Sequence, residues 1–328
     1  MPQGGAMTLL EVRHLEVGYE VAGAGVFQAR RVLPIVRDAS FTLQAGQTIG
    51  IVGESGCGKS TLGRALIRLI KPTSGQVLWQ GQDMAAMPEA VLRRRRAEMQ
   101  IIFQDPVAAL DPRMTLGRIV SRNLATFEPG LSRAALAARA VEALRLVGLS
   151  EDFAARYPME LSGGQAQRVG IARALIGGPR MIVCDEPVSA LDVSIQAQVV
   201  NLLMDLQTQM GLALVFISHN LAVVRHISQQ IMVMCLGRVV ELAPRDAFYA
   251  RPLHPYAQAL MAAVPEPDPV REKGRRAVLE GELPSVLNPP AGCVFASRCP
   301  VAVARCHVER PELRDFGRRQ AACHLLEG

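Results

Sequence analysis

Residues 48–60 constrain the fold more than any other stretch of the chain. Thr48–Val52 is an apolar run of strand length, and Gly53-Glu54-Ser55-Gly56-Cys57-Gly58-Lys59-Ser60 follows it directly. Lys59–Ile70 then has helical periodicity, stopped by Lys71-Pro72-Thr73-Ser74-Gly75. A strand, a glycine-rich turn and a helix in this order match G-x-x-x-x-G-K-[ST] in the context that pattern requires. Glycines let backbone N–H groups curl around phosphates, and the following helix directs its positive end at them. Lys59 is placed to reach the β- and γ-phosphates. Ser60, followed by Thr61, is placed to ligate Mg²⁺, which takes few protein ligands. Lysine otherwise occurs only at positions 71 and 273, so Lys59 stands out in a chain whose other cations are arginines.

The rest of the chain supports an α/β fold. Residues 8–55 read as short strands with turns, and Val77–Trp79 and Gln100–Phe103 as further strands. From about 107 to 178 the pattern is helical and alanine-rich, as in Arg133–Val147. Strands return at Met181–Cys184, Leu212–Ile217 and Ile231–Cys235 with helices between them. Such alternation predicts a mostly parallel sheet covered by helices and interrupted by one inserted helical block. After Val264 the composition shifts: Pro265-Glu266-Pro267-Asp268-Pro269 reads as a linker, and four of the seven cysteines lie beyond it.

Bulk properties narrow the class. A chain of 328 residues with 49% hydrophobic composition can bury one large domain and an appendage. No apolar run approaches the roughly 18 residues that span a bilayer, and no export signal is visible. The expectation is a cytoplasmic protein. The net charge of +6 is dispersed. Its densest run, Arg93-Arg94-Arg95-Arg96, reads as a solvated helix face, and without stacking aromatics it gives no reason to expect nucleic-acid binding.

A second constellation surrounds the apolar strand Met181-Ile182-Val183-Cys184, which ends in Asp185-Glu186. In a parallel sheet the carboxyl ends of the strands face the ligand. Asp185 can therefore hold the Mg²⁺ shell, and Glu186 can polarise a water for in-line attack on the γ-phosphate. Leu161-Ser162-Gly163-Gly164-Gln165, Gln104 after Ile101-Ile102-Phe103, Ser189-Ala190-Leu191-Asp192, and His219 after Phe216-Ile217-Ser218 complete the set.

With these motifs in order, residues 8–263 resemble the ATP-binding subunit of an ATP-binding cassette (ABC) transporter. The resemblance implies a P-loop cassette with a RecA-like core, an antiparallel β subdomain and a helical subdomain at about 107–178. A linker and a cysteine-rich extension would follow over 264–328. It implies that Tyr19 stacks on adenine, although a Tyr near a strand end also reads as packing. Gly53, Ser55, Gly56, Cys57, Gly58, Lys59, Ser60 and Thr61 would hold ATP. Gln104 would sense the γ-phosphate through Mg²⁺ and water. Ser162, Gly163, Gly164 and Gln165 would open a helix whose amides bind ATP held by a second subunit, and Asp192 would contact that neighbour's P-loop. His219 would bridge the γ-phosphate and Glu186.

Cys293, Cys299, Cys306 and Cys323 are spaced C-x₅-C-x₆-C-x₁₆-C. Clustered cysteines in a cytosolic chain point to thiolate ligation. The spacing matches neither zinc ribbons nor common ferredoxin runs, so residues alone leave zinc, an iron–sulfur cluster and unligated thiols open. His307 and His324 flank ligand cysteines and read as bystanders. The segment Gly292 to Pro300, with His254-Pro255-Tyr256, Gln104-Asp105-Pro106, Leu110-Asp111-Pro112-Arg113-Met114 and Glu186 to Gln198, is similar to dipeptide/oligopeptide-type importer ATPases. That group implies a [4Fe–4S] cluster on the four cysteines. It also implies two membrane permease subunits, a second ATP-binding subunit in a head-to-tail dimer, and an extracytoplasmic binding protein. The place of work would be the cytoplasmic face of the inner membrane. Nickel or glutathione import, and a soluble redox-regulated ATPase, are the other readings.

Overall fold

A computed structural model describes residues 8–21, 31–263, 285 and 287–327. The expected linker Pro265–Pro269 lies outside these residues. The chain begins with β1 (Thr8–Val21) and β2 (Arg31–Gln44), followed by β3 (Thr48–Val52), α1 (Lys59–Leu66), β4 (Ser74–Trp79) and β5 (Gln82–Asp83). Next come α2 (Glu89–Arg95), β6 (Met99–Ile102), α3 (Leu116–Phe127), α4 (Arg133–Leu146) and α5 (Gly163–Leu175). Then follow β7 (Met181–Asp185), α6 (Val193–Met210), β8 (Ala213–Ile217), α7 (Leu221–Ile227), β9 (Gln230–Cys235) and β10 (Arg238–Pro244). The chain closes with α8 (Arg245–Ala250), α9 (Pro255–Ala262), α10 (Ala304–Val308), β11 (Arg314–Phe316) and β12 (Arg319–Ala321).

The expected strands and helices are present, with three corrections. β1 and β2 are long strands of 14 residues each rather than short ones. Pro34 sits in β2 at the edge of its sheet, where a missing N–H is tolerated. α1 ends at Leu66, before the Pro72 stop, and Arg68 has a left-handed φ of 59°. In the arginine run, Arg95 and Arg96 pair with Glu98 and Glu89, while Arg93 and Arg94 form the solvated face.

Two compact units divide the chain. One comprises Met1–Leu9, Leu43–Thr48 and Ala86–Ile217. Its parallel strands β6, β7 and β8 pair in register, with Met181 opposite both Met99 and Ala213. β7 and β8 are buried along their whole length, as expected of strands covered on both faces. No strand occurs among residues 103–180, where α3, α4 and α5 lie.

The other unit comprises Leu10–Thr42, Ile49–Ala85 and Ser218–Gly328. Here β2, β1, β4 and β5 form a four-stranded sheet in that order, with β1 antiparallel to β4. β3 runs parallel to β9, and β10 returns antiparallel to β9. The C-terminal strands extend this sheet: β12 pairs antiparallel with β10, and β11 with β12. The tail is thus hydrogen-bonded to its unit rather than merely appended. The buried Glu241 accepts from the Leu253 and His254 N–H groups and faces Arg319 of β12 at 3.7 Å.

Candidate functional site

The loop between β3 and α1 has the form a phosphate cradle needs. Gly53, Gly56 and Gly58 have φ of 151°, 78° and 101°, conformations that side chains rarely adopt. A Cβ on Gly53 would stand 2.2 Å from the Met234 carbonyl oxygen, and one on Gly58 2.9 Å from that of Ile35. The loop is therefore wedged against the backbones of β9 and β2. No side chain caps α1, whose N-cap is Gly58. Lys59 is buried, with Nζ donating to the carbonyls of Gly53 (2.8 Å) and Glu54 (3.0 Å), which satisfy its charge. Cys57 lies beside it, and burial pushes its thiol pKa up despite the lysine. The half-exposed Tyr19 has its hydroxyl 3.5 Å from Thr61 Oγ1, so the expected adenine-stacking residue adjoins the P-loop helix. His219 is exposed in the same unit, between the buried Ser218 and Asn220, whose side chain caps α7.

In the other unit Asp185 and Glu186 stand at the carboxyl end of β7. Asp185 is buried. Glu186 has φ 48°, its N–H donates to the Ile217 carbonyl (3.0 Å), and its Oε2 accepts from Gln104 Nε2 (3.3 Å). The expected base and γ-phosphate sensor are thus in contact. Ser162 caps α5 in a reciprocal box: its Oγ accepts from the Gln165 N–H, and the Gln165 side chain accepts from the Ser162 N–H. Leu191 and Ile195 back Gly163 and Gly164, which brings Asp192, the N-cap of α6, into one patch with the start of α5.

Residues 36–189 match the family described as ABC transporter, and residues 240–306 the family described as oligopeptide/dipeptide transporter, C-terminal region. The chain is 54% identical over 321 residues to the probable peptide ABC transporter ATP-binding protein y4tS of Sinorhizobium fredii, covering 97% of this chain and 90% of that protein. It is 51% identical to the oligopeptide transport ATP-binding protein OppF of Escherichia coli, covering 97% and 96%. The chain belongs to the ATP-binding proteins of ABC transporters. Among solved structures, a dimeric bacterial ABC transporter cassette superposes with a TM-score of 0.65 at 28% identity, covering 72% of this chain and 99% of that one. The P-loop ABC cassette fold expected from the motifs is therefore the fold of this chain.

The four tail cysteines meet. Cys293, Cys299, Cys306 and Cys323, with His254, Phe295 and His324, line one cavity of about 10 Å³, and none is in a disulfide. Burial, added to by neighbouring thiols, pushes Cys293, Cys299 and Cys323 up, which favours their protonated forms. His254 is pushed down to about 4 by burial, and its Nδ1 accepts from the Tyr256 N–H (3.0 Å). His324 Nε2 lies 2.9 Å from the Glu309 carbonyl oxygen. Among the described residues no three His, Cys, Asp or Glu are arranged to hold a metal ion, which supports neither the zinc nor the iron–sulfur reading. The donor set suits thiolate ligation. The space has room for about one water molecule, so the thiols would have to draw apart to hold a four-iron cube. Cys184 and Cys235 are buried strand residues, as their sequence context suggests.

The sequence motif assigns Glu54 no role of its own. Its carboxylate accepts from both terminal nitrogens of Arg298 (2.7 and 2.8 Å), and its N–H donates to Tyr256 Oη (2.9 Å). The partners are 244 and 202 residues away. No local pattern announces such contacts.

Proposed function

We propose that this chain is the ATP-hydrolysing subunit energising import of di- and oligopeptides, working as one half of a head-to-tail pair of cassettes. The observation that carries the peptide reading is identity above 50% over 97% of the chain to proteins named for peptide transport. The match of residues 240–306 to the C-terminal region of that transporter class agrees with it. The division is an ATP-binding domain over 1–263 and a linker with its cysteine-rich extension over 264–328.

The residues divide the work. Gly53, Ser55, Gly56, Cys57, Gly58 and Thr61 cradle the triphosphate with backbone amides, Lys59 neutralises its β- and γ-oxygens, and Tyr19 holds the base. Ser60, Asp185 and Gln104 would hold Mg²⁺, which would supply charge neutralisation at the phosphates. Glu186 takes the proton of the attacking water, Gln104 fixes the carboxylate that does so, and His219 holds the γ-phosphate in line. Ser162, Gly163, Gly164, Gln165 and Asp192 act on the nucleotide of the second subunit. The dimeric cassettes among the solved structures, one bound to ADP and Pi, support that arrangement.

Glu186→Gln keeps the shape and removes the base. In the assembled transporter it is expected to bind ATP, lower turnover about 10²–10⁴-fold and stop peptide uptake. Parental turnover in that variant would overturn the assignment of Glu186. Turnover stimulated by nickel or glutathione and not by peptides would replace the substrate class.

The partners are two membrane permeases, a second ATP-binding subunit and an extracytoplasmic binding protein, at the cytoplasmic face of the inner membrane. No described helix is long and apolar enough to cross a membrane. The cysteines are the ligands of a [4Fe–4S] cluster, a reading supported by four undisulfided thiols facing one cavity. When bound, the cluster supplies a covalent tie among tail segments far apart in sequence. Anaerobic purification is expected to yield iron and a broad absorbance near about 400 nm. Protein lacking both would remove the cluster from this account.

A further inference from the structure

Glu54 is the second residue of the P-loop, and each of its polar groups is engaged. Its carbonyl accepts from Lys59 Nζ at 3.0 Å. Its N–H donates to the hydroxyl of Tyr256, a fully buried residue of α9. Its carboxylate is forked by Arg298, whose side chain is only 4% exposed against 22% for Glu54. A planar guanidinium facing a carboxylate through two short bonds fixes direction as well as charge. At this burial the pair is little screened by solvent.

The residues that hold Glu54 also build the cysteine cavity. Arg298 immediately precedes Cys299 and ends the short turn Ala296–Arg298. Its guanidinium lies 6.0 Å from the Phe295 ring. Phe295 meets Tyr256 at 5.2 Å and His254 at 6.1 Å between ring centroids. Phe295, His254 and Cys299 all line the cavity. A displacement of the Cys293–Cys299 segment must therefore move Arg298, and through it the P-loop backbone between Gly53 and Lys59. Removing Arg298 would also leave an unpaired, largely buried carboxylate in a loop that receives a triphosphate, where its charge opposes binding.

We propose that Arg298 is a positioning residue for the P-loop, and that the cysteine-bearing tail sets nucleotide affinity through the Arg298–Glu54 pair. The proposal rests on the P-loop being the nucleotide site. A pair that merely pinned the tail in place would change stability without selecting nucleotide binding. Loss of a clamp instead raises the KM for ATP and leaves kcat nearly unchanged.

The test is equilibrium binding of trinitrophenyl-ATP with Mg²⁺ to the full-length protein, alongside thermal melts and steady-state ATPase. Arg298→Ala is expected to weaken binding about tenfold, with kcat within about threefold of the parent, as fits loss of a charged, buried bond pair. Arg298→Lys should recover part of the loss. In a Glu54→Gln background, Arg298→Ala should cost less than about twofold, because no lone carboxylate remains. Should Arg298→Ala fail to fold, Arg298→Lys and Glu54→Gln carry the same cycle. For the tail, Cys306→Ser, at a residue that also lines the cavity, should weaken binding several-fold in the parent and add nothing in the Arg298→Ala background.

Folded Arg298→Ala that binds within twofold of the parent would overturn the clamp alone. Cys306→Ser that has no effect, or an equal effect in both backgrounds, would overturn transmission from the tail. A Lys59→Ala control that binds as the parent does would instead overturn the P-loop reading, and the clamp with it.

Discussion

Two glycine-rich segments open helices in this molecule, and they are built on opposite plans. At Gly53–Ser60 the backbone takes three left-handed or extreme conformations, the turn is pressed against the Met234 and Ile35 carbonyls, and the helix that follows has no side-chain cap. At Ser162–Gln165 the backbone shows no positive φ, the helix is capped by its own Ser162 and Gln165, and Ser162 and Gly163 are exposed. The first segment is a cradle made by its surroundings. The second is an ordinary, self-sufficient helix start whose outward face is unencumbered. Glycine thus serves two ends here: conformation in one case, and close approach by another molecule in the other.

The largest effect expected from breaking this contrast is at Gly53. Gly53→Ala places a methyl 2.2 Å from the Met234 carbonyl oxygen at φ 151°. Overpacking and backbone strain together predict a loss of about 2–6 kcal/mol, with ATP binding abolished. Thermal melting and nucleotide titration read both. A variant that melts and binds like the parent would mean the loop is not held by its sheet as described.

The same contrast explains what was legible in the sequence. The P-loop, the Asp185-Glu186 strand end and the Ser162 helix start are local patterns, each carried by contiguous residues with an obligatory spacing, so the family and most candidate site residues could be read directly. β7 and β8 were legible because strands buried on both faces are continuous apolar runs. The length of β2 was not, because Pro34 signals a break unless the strand is known to be an edge. The tail hairpin was partly legible: Phe316 pairs with Arg319 across Gly317-Arg318, a two-residue turn with glycine first. Its strands of three residues, one of them charged or polar at most positions, gave no periodicity to support it. Glu54, Tyr256 and Arg298 were illegible as a group. Their relation exists only after the tail pairs with β10, and sequence distance hides it.

The smallest expected effect on the fold is at Gly163, and it separates the two plans most cleanly. A methyl there would meet only Leu191 Cδ2 at 3.5 Å, an ordinary contact. Alanine is favoured over glycine within a helix by about 1 kcal/mol, less at a first-turn position, so Gly163→Ala should melt at or slightly above the parental temperature. Nucleotide binding by the isolated subunit should be unchanged, since the P-loop is untouched. Yet the new methyl projects from an exposed helix start that is proposed to approach the partner's nucleotide. Steady-state ATPase in the assembled pair should therefore fall at least about tenfold, as expected when one hydrogen-bonded approach to the reacting phosphate is blocked. Retained ATPase in Gly163→Ala would mean that this face does not close on a nucleotide. Loss of binding in the isolated subunit would mean that the two glycine segments serve one site rather than two.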